Sequence, residues 1–258
     1  MILRTVRHTG WMVVRQARNL MREPIWIAMM IIQPLIWLLL YGQLFSRVPQ
    51  LRGDASTYVE FLTPGIVCMN AFFGGMWAGM AMINDLDRHV IDRFLASPAS
   101  RVAIVLSQVV RAGITSVLQA LLLLAIGYAL GVRVHGGAPG WLVAVAAAAL
   151  LAMVFAGFSH GIALLVRREA SMIATANFVG LPLMFLSSIL LTTRTMPGWM
   201  QDVSRYNPVN WGVEAARNAV VVGGAWWTNG QFLLLLAAAA AVTTAFATWS
   251  FRAYQRSL

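Results

Sequence analysis

Six long apolar runs divide the chain, at 25–44, 61–83, 102–130, 141–166, 171–191 and 232–251, each of about the 20 residues a helix needs to cross the hydrocarbon core. Gly, Pro and charged residues cluster in the breaks between them, where helices end. The pattern predicts an all-α, polytopic membrane protein with six transmembrane helices. The third run is long enough to project into the cytoplasm. No unit of 20 to 50 residues repeats and no soluble domain is appended, so 1–258 reads as a single transmembrane domain.

Two segments fall outside the runs. At 100° per residue, Arg4, Arg7, Arg15, Arg18 and Arg22 lie within about an 80° arc, with Ile2, Val6, Val13 and Leu20 opposite. Residues 1–24 therefore read as an interfacial amphipathic helix on the cytoplasmic leaflet, its arginines toward anionic headgroups, until Glu23-Pro24 turns the chain inward. The same arginines interrupt any signal-peptide core, so the segment is expected to stay in the mature protein. The second segment, 195–224, is too polar to span and is broken by Pro197 and Pro208. It carries Trp199, Tyr206 and Trp211, with Trp226 and Trp227 just beyond. Aromatics of this kind favour the membrane interface. The expectation is a set of short re-entrant helices, between spans five and six, that dip into the outer leaflet and return. Neighbouring helices or water must then satisfy the backbone at the breaks.

Composition agrees and adds exclusions. Hydrophobic residues make up 59% and charged residues 11%, against about 25% charged in soluble domains. All 19 basic residues are Arg, and there is no Lys. A P-loop and a pyridoxal Schiff base both need Lys, so ATP hydrolysis would have to come from a partner. A net charge of +10 would suggest nucleic acid in a soluble protein. Here the arginines sit between apolar runs and report orientation, so no nucleic-acid partner is expected. Twelve lie in the N-terminus, the 84–101 loop, Arg167-Arg168 and the C-terminal tail; six lie in the other breaks, and Arg111 lies within the third run. The positive-inside rule then puts both termini in the cytoplasm. Abundant Ala and Arg without Lys point to a GC-rich bacterial genome, and so to a bacterial plasma membrane.

Sites for intrinsic chemistry are sparse. Cys68 is the single cysteine, and His8, His89, His135 and His160 form no metal-binding pair, so no metal or cofactor is expected on this chain. His160, inside the fourth run, reads as a helix contact rather than a ligand. There is no G-x-S-x-G, and the hydroxyls of Ser187-Ser188 are expected to bond back to their helix. Asp85, Asp87 and Asp92 share their loop with Arg88 and Arg93, and mutual neutralisation accounts for them more plainly than acid–base chemistry. Gly75 with Gly79 and Gly157 with Gly161 have the spacing that lets membrane helices approach closely, read here as packing within the chain.

The 84–101 loop has a pattern of its own. Leu86, Val90, Ile91, Phe94 and Leu95 recur at three- and four-residue spacing with charges on the other face, and Ser97-Pro98 stops the run. That is a short amphipathic helix, and by composition a membrane surface and a docked protein suit it equally.

At Val90-Ile91-Asp92-Arg93-Phe94, leading to Ser97-Pro98 and Arg101, the sequence resembles the cytoplasmic coupling segment of the membrane subunits of type 2 ABC exporters (ABC-2 type), and among them the daunorubicin-type drug-resistance permeases. A second stretch is similar to their fifth span and external re-entrant helices. It reads Leu181-Pro182-Leu183-Met184-Phe185-Leu186-Ser187-Ser188, then Met196-Pro197-Gly198-Trp199-Met200, then Tyr206-Asn207-Pro208-Val209 and Glu214-Ala215-Ala216-Arg217. Many relatives have a Gly and a bulky pair after the Ser, where this chain has Ser187-Ser188-Ile189. The resemblance covers essentially the whole chain.

What the resemblance implies is a permease that pairs with an identical or homologous second permease and two copies of an ATP-binding subunit, which carry the ATP and Mg. The segment with Asp87, Arg88, Val90, Ile91, Asp92, Arg93, Phe94, Leu95, Ser97 and Pro98 would sit in a cleft of the ATPase and couple it to the membrane. Pro197, Trp199, Asn207, Pro208, Trp211, Glu214 and Arg217 would belong to the external gate. Glu214 and Arg217, three apart, read either as a plain intrahelical ion pair or as a brace of that gate. The implied activity is export of hydrophobic or amphipathic compounds such as drugs, with no enzymatic step on this chain. A lipid or lipid-linked glycan as cargo is the alternative; an intramembrane enzyme, a further one, would need polar residues converging in a buried cavity.

Overall fold

The structure, a computed structural model, describes residues 24–51, 53–87 and 101–256. The interfacial helix expected before Pro24 and the coupling residues from Arg88 to Pro98 lie outside them. Among the described residues eight α-helices follow in order: α1 (Pro24–Leu44), α2 (Tyr58–Asp87), α3 (Arg101–Ala129), α4 (Gly137–Val166), α5 (Glu169–Phe185), α6 (Gly198–Ser204), α7 (Pro208–Arg217) and α8 (Trp226–Gln255). No strand occurs among the described residues, so the all-α expectation holds.

Among the described residues four helices are long and apolar enough to cross a membrane: α2, α3, α4 and α8. The other two runs give shorter apolar helices, α5 and the Ile32–Leu44 stretch of α1. The fifth run departs most from expectation. Helix was predicted over 171–191, but α5 ends at Phe185 and residues 186–192 are not helical. Pro182 stands in the last turn of α5, where its missing N–H and its ring weaken the ladder, and Leu186 N closes the end on Pro182 O at 2.9 Å. Elsewhere helices run past the predicted ends: α2 continues to Asp87 and α8 starts at Trp226.

Helix α4 is the centre of the bundle, packed by α2, α3, α7 and α8. Its buried face is built of Ala144, Ala147, Ala148, Ala152 and Ala156, so neighbouring backbones come close without losing contact. The two glycine pairs sit on opposite sides of this helix. A Cβ at Gly75 of α2 would lie 2.5 Å from Ala152 O, and one at Gly79 would meet the Oγ and carbonyl of Ser159. A Cβ at Gly157 would lie 2.7 Å from Thr243 Oγ1 of α8, and one at Gly161 would strike the Phe246 ring. Both pairs therefore serve packing within the chain. Ser159 stitches α4 to α2, its Oγ donating to Met76 O at 2.6 Å and accepting from Gly79 N at 2.8 Å. Phe72 meets Phe155 edge-on at 4.5 Å between ring centres.

The α4–α5 turn is abrupt. Arg167 takes the left-handed conformation, φ 55°, with its N–H on Ala163 O at 2.9 Å, and its guanidinium lies 4.6 Å from the Tyr254 ring centre. Arg168 is extended and Glu169 opens α5. Only Met172, Ala176 and Gly180 of α5 are buried, a narrow stripe at four-residue spacing, and Phe178 on the far side is 82% exposed.

Candidate functional site

The first turn of α2, the α3–α4 turn, the exit of α5 and helix α7 meet at one end of the bundle. Helix α7 starts at the break made by Pro208. Asn207 is the N-cap, accepting from Val209 N at 2.9 Å, and Pro208 fills the first helical position, where no N–H is needed. Asn207, Asn210, Glu214 and Arg217 recur at three- and four-residue spacing and so share one face, within about 80° of one another. The adjoining face presents Val209, Val213, Ala216 and, in the π turn Asn218–Val222 that follows, Val220 to the core.

The polar stripe is applied to the broken end of α5. Asn207 Nδ2 donates to Leu183 O at 2.7 Å and to Leu186 O at 2.9 Å. Asn210 Oδ1 accepts from Ser188 N at 2.9 Å. Glu214 Oε1 accepts from Ser188 Oγ at 2.6 Å. Arg217 Nη2 donates to Ser188 O at 2.6 Å and to Ile189 O at 3.5 Å, while its Nε reaches Phe61 O in α2 at 3.4 Å. Tyr58 OH adds a bond to Leu190 O at 2.9 Å. Backbone groups that α5 leaves without helical partners are thus served by side chains, as irregular backbone in a membrane requires.

Arg217 is buried, 8% exposed, and its guanidinium stacks 3.8 Å from the Phe61 ring centre. Its approach to Glu214, Nη1 to Oε1, is 3.6 Å. The pair is therefore real but long, and the short bonds of Arg217 go to carbonyls of other segments. Neither guanidinium nor carboxylate acts only within its own helix. Gly65 of α2 makes room for the arrangement, since a Cβ there would stand 2.5 Å from Ile189 O.

A second junction holds the α3–α4 turn in place. His135 N donates to Val220 O at 2.9 Å, and His135 Nδ1 lies 3.3 Å from Oε1 of Glu60, a residue only 2% exposed whose other oxygen accepts from Ser56 N at 3.0 Å. A cavity of about 210 Å³ opens beside Arg217, lined by Asp54, Phe61, Arg194, Glu214 and Asn218. The exposed pair Arg194–Asp54, 3.7 Å apart, flanks it.

Of the residues singled out from sequence, Asn207, Glu214 and Arg217 come together. Trp211 is peripheral: its Nε1 donates to Arg205 O at 2.6 Å and ties the α6–α7 turn. Pro197 caps α6, and Trp199 is 64% exposed; both stand apart from the side chains that bond to the end of α5. Asp87 is the last residue of α2, and Arg88, Val90, Ile91, Asp92, Arg93, Phe94, Leu95, Ser97 and Pro98 lie outside the described residues. Sequence reasoning missed Ser188, Asn210, Tyr58 and Phe61. Ser187 does bond back to its helix, at Met184 O, but Ser188 reaches across to Glu214, because the helix has already ended. The signal for Asn210 was its register with Asn207, Glu214 and Arg217. Buried His160 places Nδ1 2.5 Å from Ala156 O of its own helix, a contact of the kind expected. Among the described residues no group of three His, Cys, Asp or Glu gathers as a metal site would require.

Comparison with known proteins places this arrangement. Over 204 residues the chain is 30% identical to a protein of Cyanophora paradoxa named as transport permease ycf38, covering 77% of this chain and 69% of that one. A ycf38 protein of Porphyra purpurea is 26% identical over 76% of this chain and 68% of its own. The daunorubicin resistance ABC transporter permease protein DrrB1 of Streptomyces coeruleorubidus is 27% identical over 75% of this chain and 68% of its own. The model of the family described as ABC-2 type transporter matches residues 7–221, through every helix that builds the site. The chain belongs to the ABC-2 type transporter family, as a membrane transport permease of the kind that works with an ATP-binding subunit.

Proposed function

We propose that this chain is the permease subunit of an ATP-driven exporter of hydrophobic or amphipathic compounds, drugs among them. The polar clasp between α7 and the broken end of α5 is the observation that carries the reading. Such a clasp closes one end of the bundle with side-chain bonds that a small movement of α7 would release together. In this reading the six apolar helices all span, both termini are cytoplasmic by arginine distribution, and 195–224 is a re-entrant external gate. Glu214 and Arg217 brace that gate.

Two ATP-binding subunits, holding ATP and Mg, would dock at the 84–101 segment. A second permease, identical or homologous, would cover faces that α5 leaves open, where Asn177 and Phe178 are exposed. An amide such as Asn177 gains nothing from lipid and gains a partner from protein. The name of the DrrB1 relative supports drug-like cargo.

The test is purification of the tagged chain in mild detergent with identification of what co-elutes stoichiometrically. A P-loop ATPase recovered from wild type but not from Phe94→Asp, together with drug efflux from cells expressing the pair, is the expected result. Absence of any nucleotide-binding protein under conditions that preserve other complexes would overturn it.

A further inference from the structure

The residues at which α5 stops, 186–191, are four aliphatic residues and two serines, free of Pro and Gly, and their sequence predicts helix; the structure leaves them unwound. The bonds that hold them unwound have a common property. In a helix continued past Phe185, Leu183 O would accept from Ser187 N and Leu186 O from Leu190 N, replacing the two donors of Asn207. Ser188 N would donate to Met184 O, replacing the acceptor Asn210 and displacing the present Ser187 hydroxyl. Ser188 O and Ile189 O, now served by Arg217, would accept from Thr192 N and Thr193 N. Each backbone group the α7 stripe satisfies therefore has an intrahelical alternative once the last turn closes on Thr192 and Thr193, so releasing the stripe need not leave these backbone groups orphaned.

Length points the same way. Helix α5 has 17 residues, about 26 Å at 1.5 Å per residue, short of a hydrocarbon core of about 30 Å. Adding 186–191 would complete the crossing. The body of α5 is packed only along Met172, Ala176 and Gly180, whereas Ser187, Ser188 and Ile189 are buried at the clasp, so rewinding requires that the clasp open.

We infer that 186–191 is a two-state segment, unwound while clasped by Asn207, Asn210, Glu214 and Arg217, and helical, as an extension of α5, when α7 withdraws. The inference rests on the external-gate reading for its role in transport, but the conformational exchange stands or falls separately. Both states satisfy the backbone, which is what allows two arrangements of one sequence to lie close in free energy.

The experiment is solid-state NMR of the full chain in lipid bilayers, reading the 13Cα shifts of Ser187, Ser188 and Ile189, which report backbone conformation without depending on water access. Wild type should give non-helical values. Removing two clasp side chains in Asn207→Ala/Asn210→Ala should move all three downfield into the helical range, and adding Leu190→Pro should cancel the move, since proline disfavours helix at the residue before it. Gly65→Ala keeps every polar partner yet crowds Ile189 O, and should shift the same signals in the same direction. Shifts that stay put, or move toward random coil, in both the clasp variant and Gly65→Ala would overturn the inference. Leu190→Pro alone should abolish export; full export by that variant, with the NMR shifts as expected, would remove the gate reading and leave the two-state segment standing.

Discussion

Arg217 donates to the carbonyl oxygen of Ser188 at 2.6 Å, joining the end of α7 to the point where α5 has come undone. The same guanidinium reaches Phe61 O in α2, so one side chain fastens three segments that are remote in sequence. An arginine suits the task because its fork offers donors in fixed directions while its flat face stacks on Phe61. The charge is tolerated at this depth because carbonyls and Glu214 surround it.

Arg217→Lys is therefore expected to behave almost as badly as Arg217→Ala. An ammonium lacks the flat fork that reaches Phe61 O and Ser188 O while stacking on the Phe61 ring, and either change should cost about 2 kcal/mol, in the range for hydrogen bonds to charged groups. Glu214→Gln should cost less, about 1 kcal/mol, because its amide oxygen can still accept from Ser188 Oγ. Thermal unfolding of the purified variants in detergent gives the ranking. Equal losses for Arg217→Lys and Glu214→Gln would mean that the ion pair, and not the carbonyl bonds, holds the site.

Asn207 performs two tasks that substitution separates. Its Oδ1 caps α7 and its Nδ2 bonds two carbonyls of α5. Asn207→Asp keeps the cap but sets a carboxylate against Leu183 O and Leu186 O, so it should lose at least as much stability as Asn207→Ala, about 2 kcal/mol, although Asp is by far the better cap. A near-wild-type melting temperature for Asn207→Asp would assign the whole role to the cap.

Much of this was legible in the sequence, and the part that was not has a physical cause. Run length located the long helices, and Pro197 and Pro208 marked the breaks between the short ones, because those signals act over a few neighbouring residues. The end of α5 was misjudged for the opposite reason. Leu186, Ile189, Leu190 and Leu191 read as span, and nothing local says that Asn207, Asn210 and Arg217, 21 to 29 residues on, will compete for the backbone there. Ser188 was assigned to its own helix on the same assumption. Local preference and tertiary structure disagree here, and such disagreements are expected at functional or strained sites.

Gly75 and Gly157 invite the idea of a dimer motif, and the structure predicts otherwise. Gly75→Leu should lower the melting temperature strongly, since its side chain would run into Ala152 O and Ala156 N of the same chain. The subunit count should not change. Light scattering after size exclusion separates the two, and a variant that melts normally but dissociates would show that Gly75 faces another copy.

The contact between Gly79 and Ser159 allows the backbone and side-chain parts of helix packing to be ranked. Ser159→Ala removes the bonds to Met76 O and from Gly79 N and should cost about 1 kcal/mol, since hydrogen bonds between membrane helices average about 0.6 and reach about 1.7. Gly79→Ala should cost more, because the new Cβ meets both Ser159 Oγ and, at 2.7 Å, Ser159 O. The hydroxyl can be removed but the carbonyl cannot. Combining Gly79→Ala with Ser159→Ala should therefore recover only a minor part of the Gly79→Ala loss, a small coupling in a double-mutant cycle. Full recovery in the double variant would mean that α2 and α4 are kept apart by the serine side chain, and that their backbones have room to move closer.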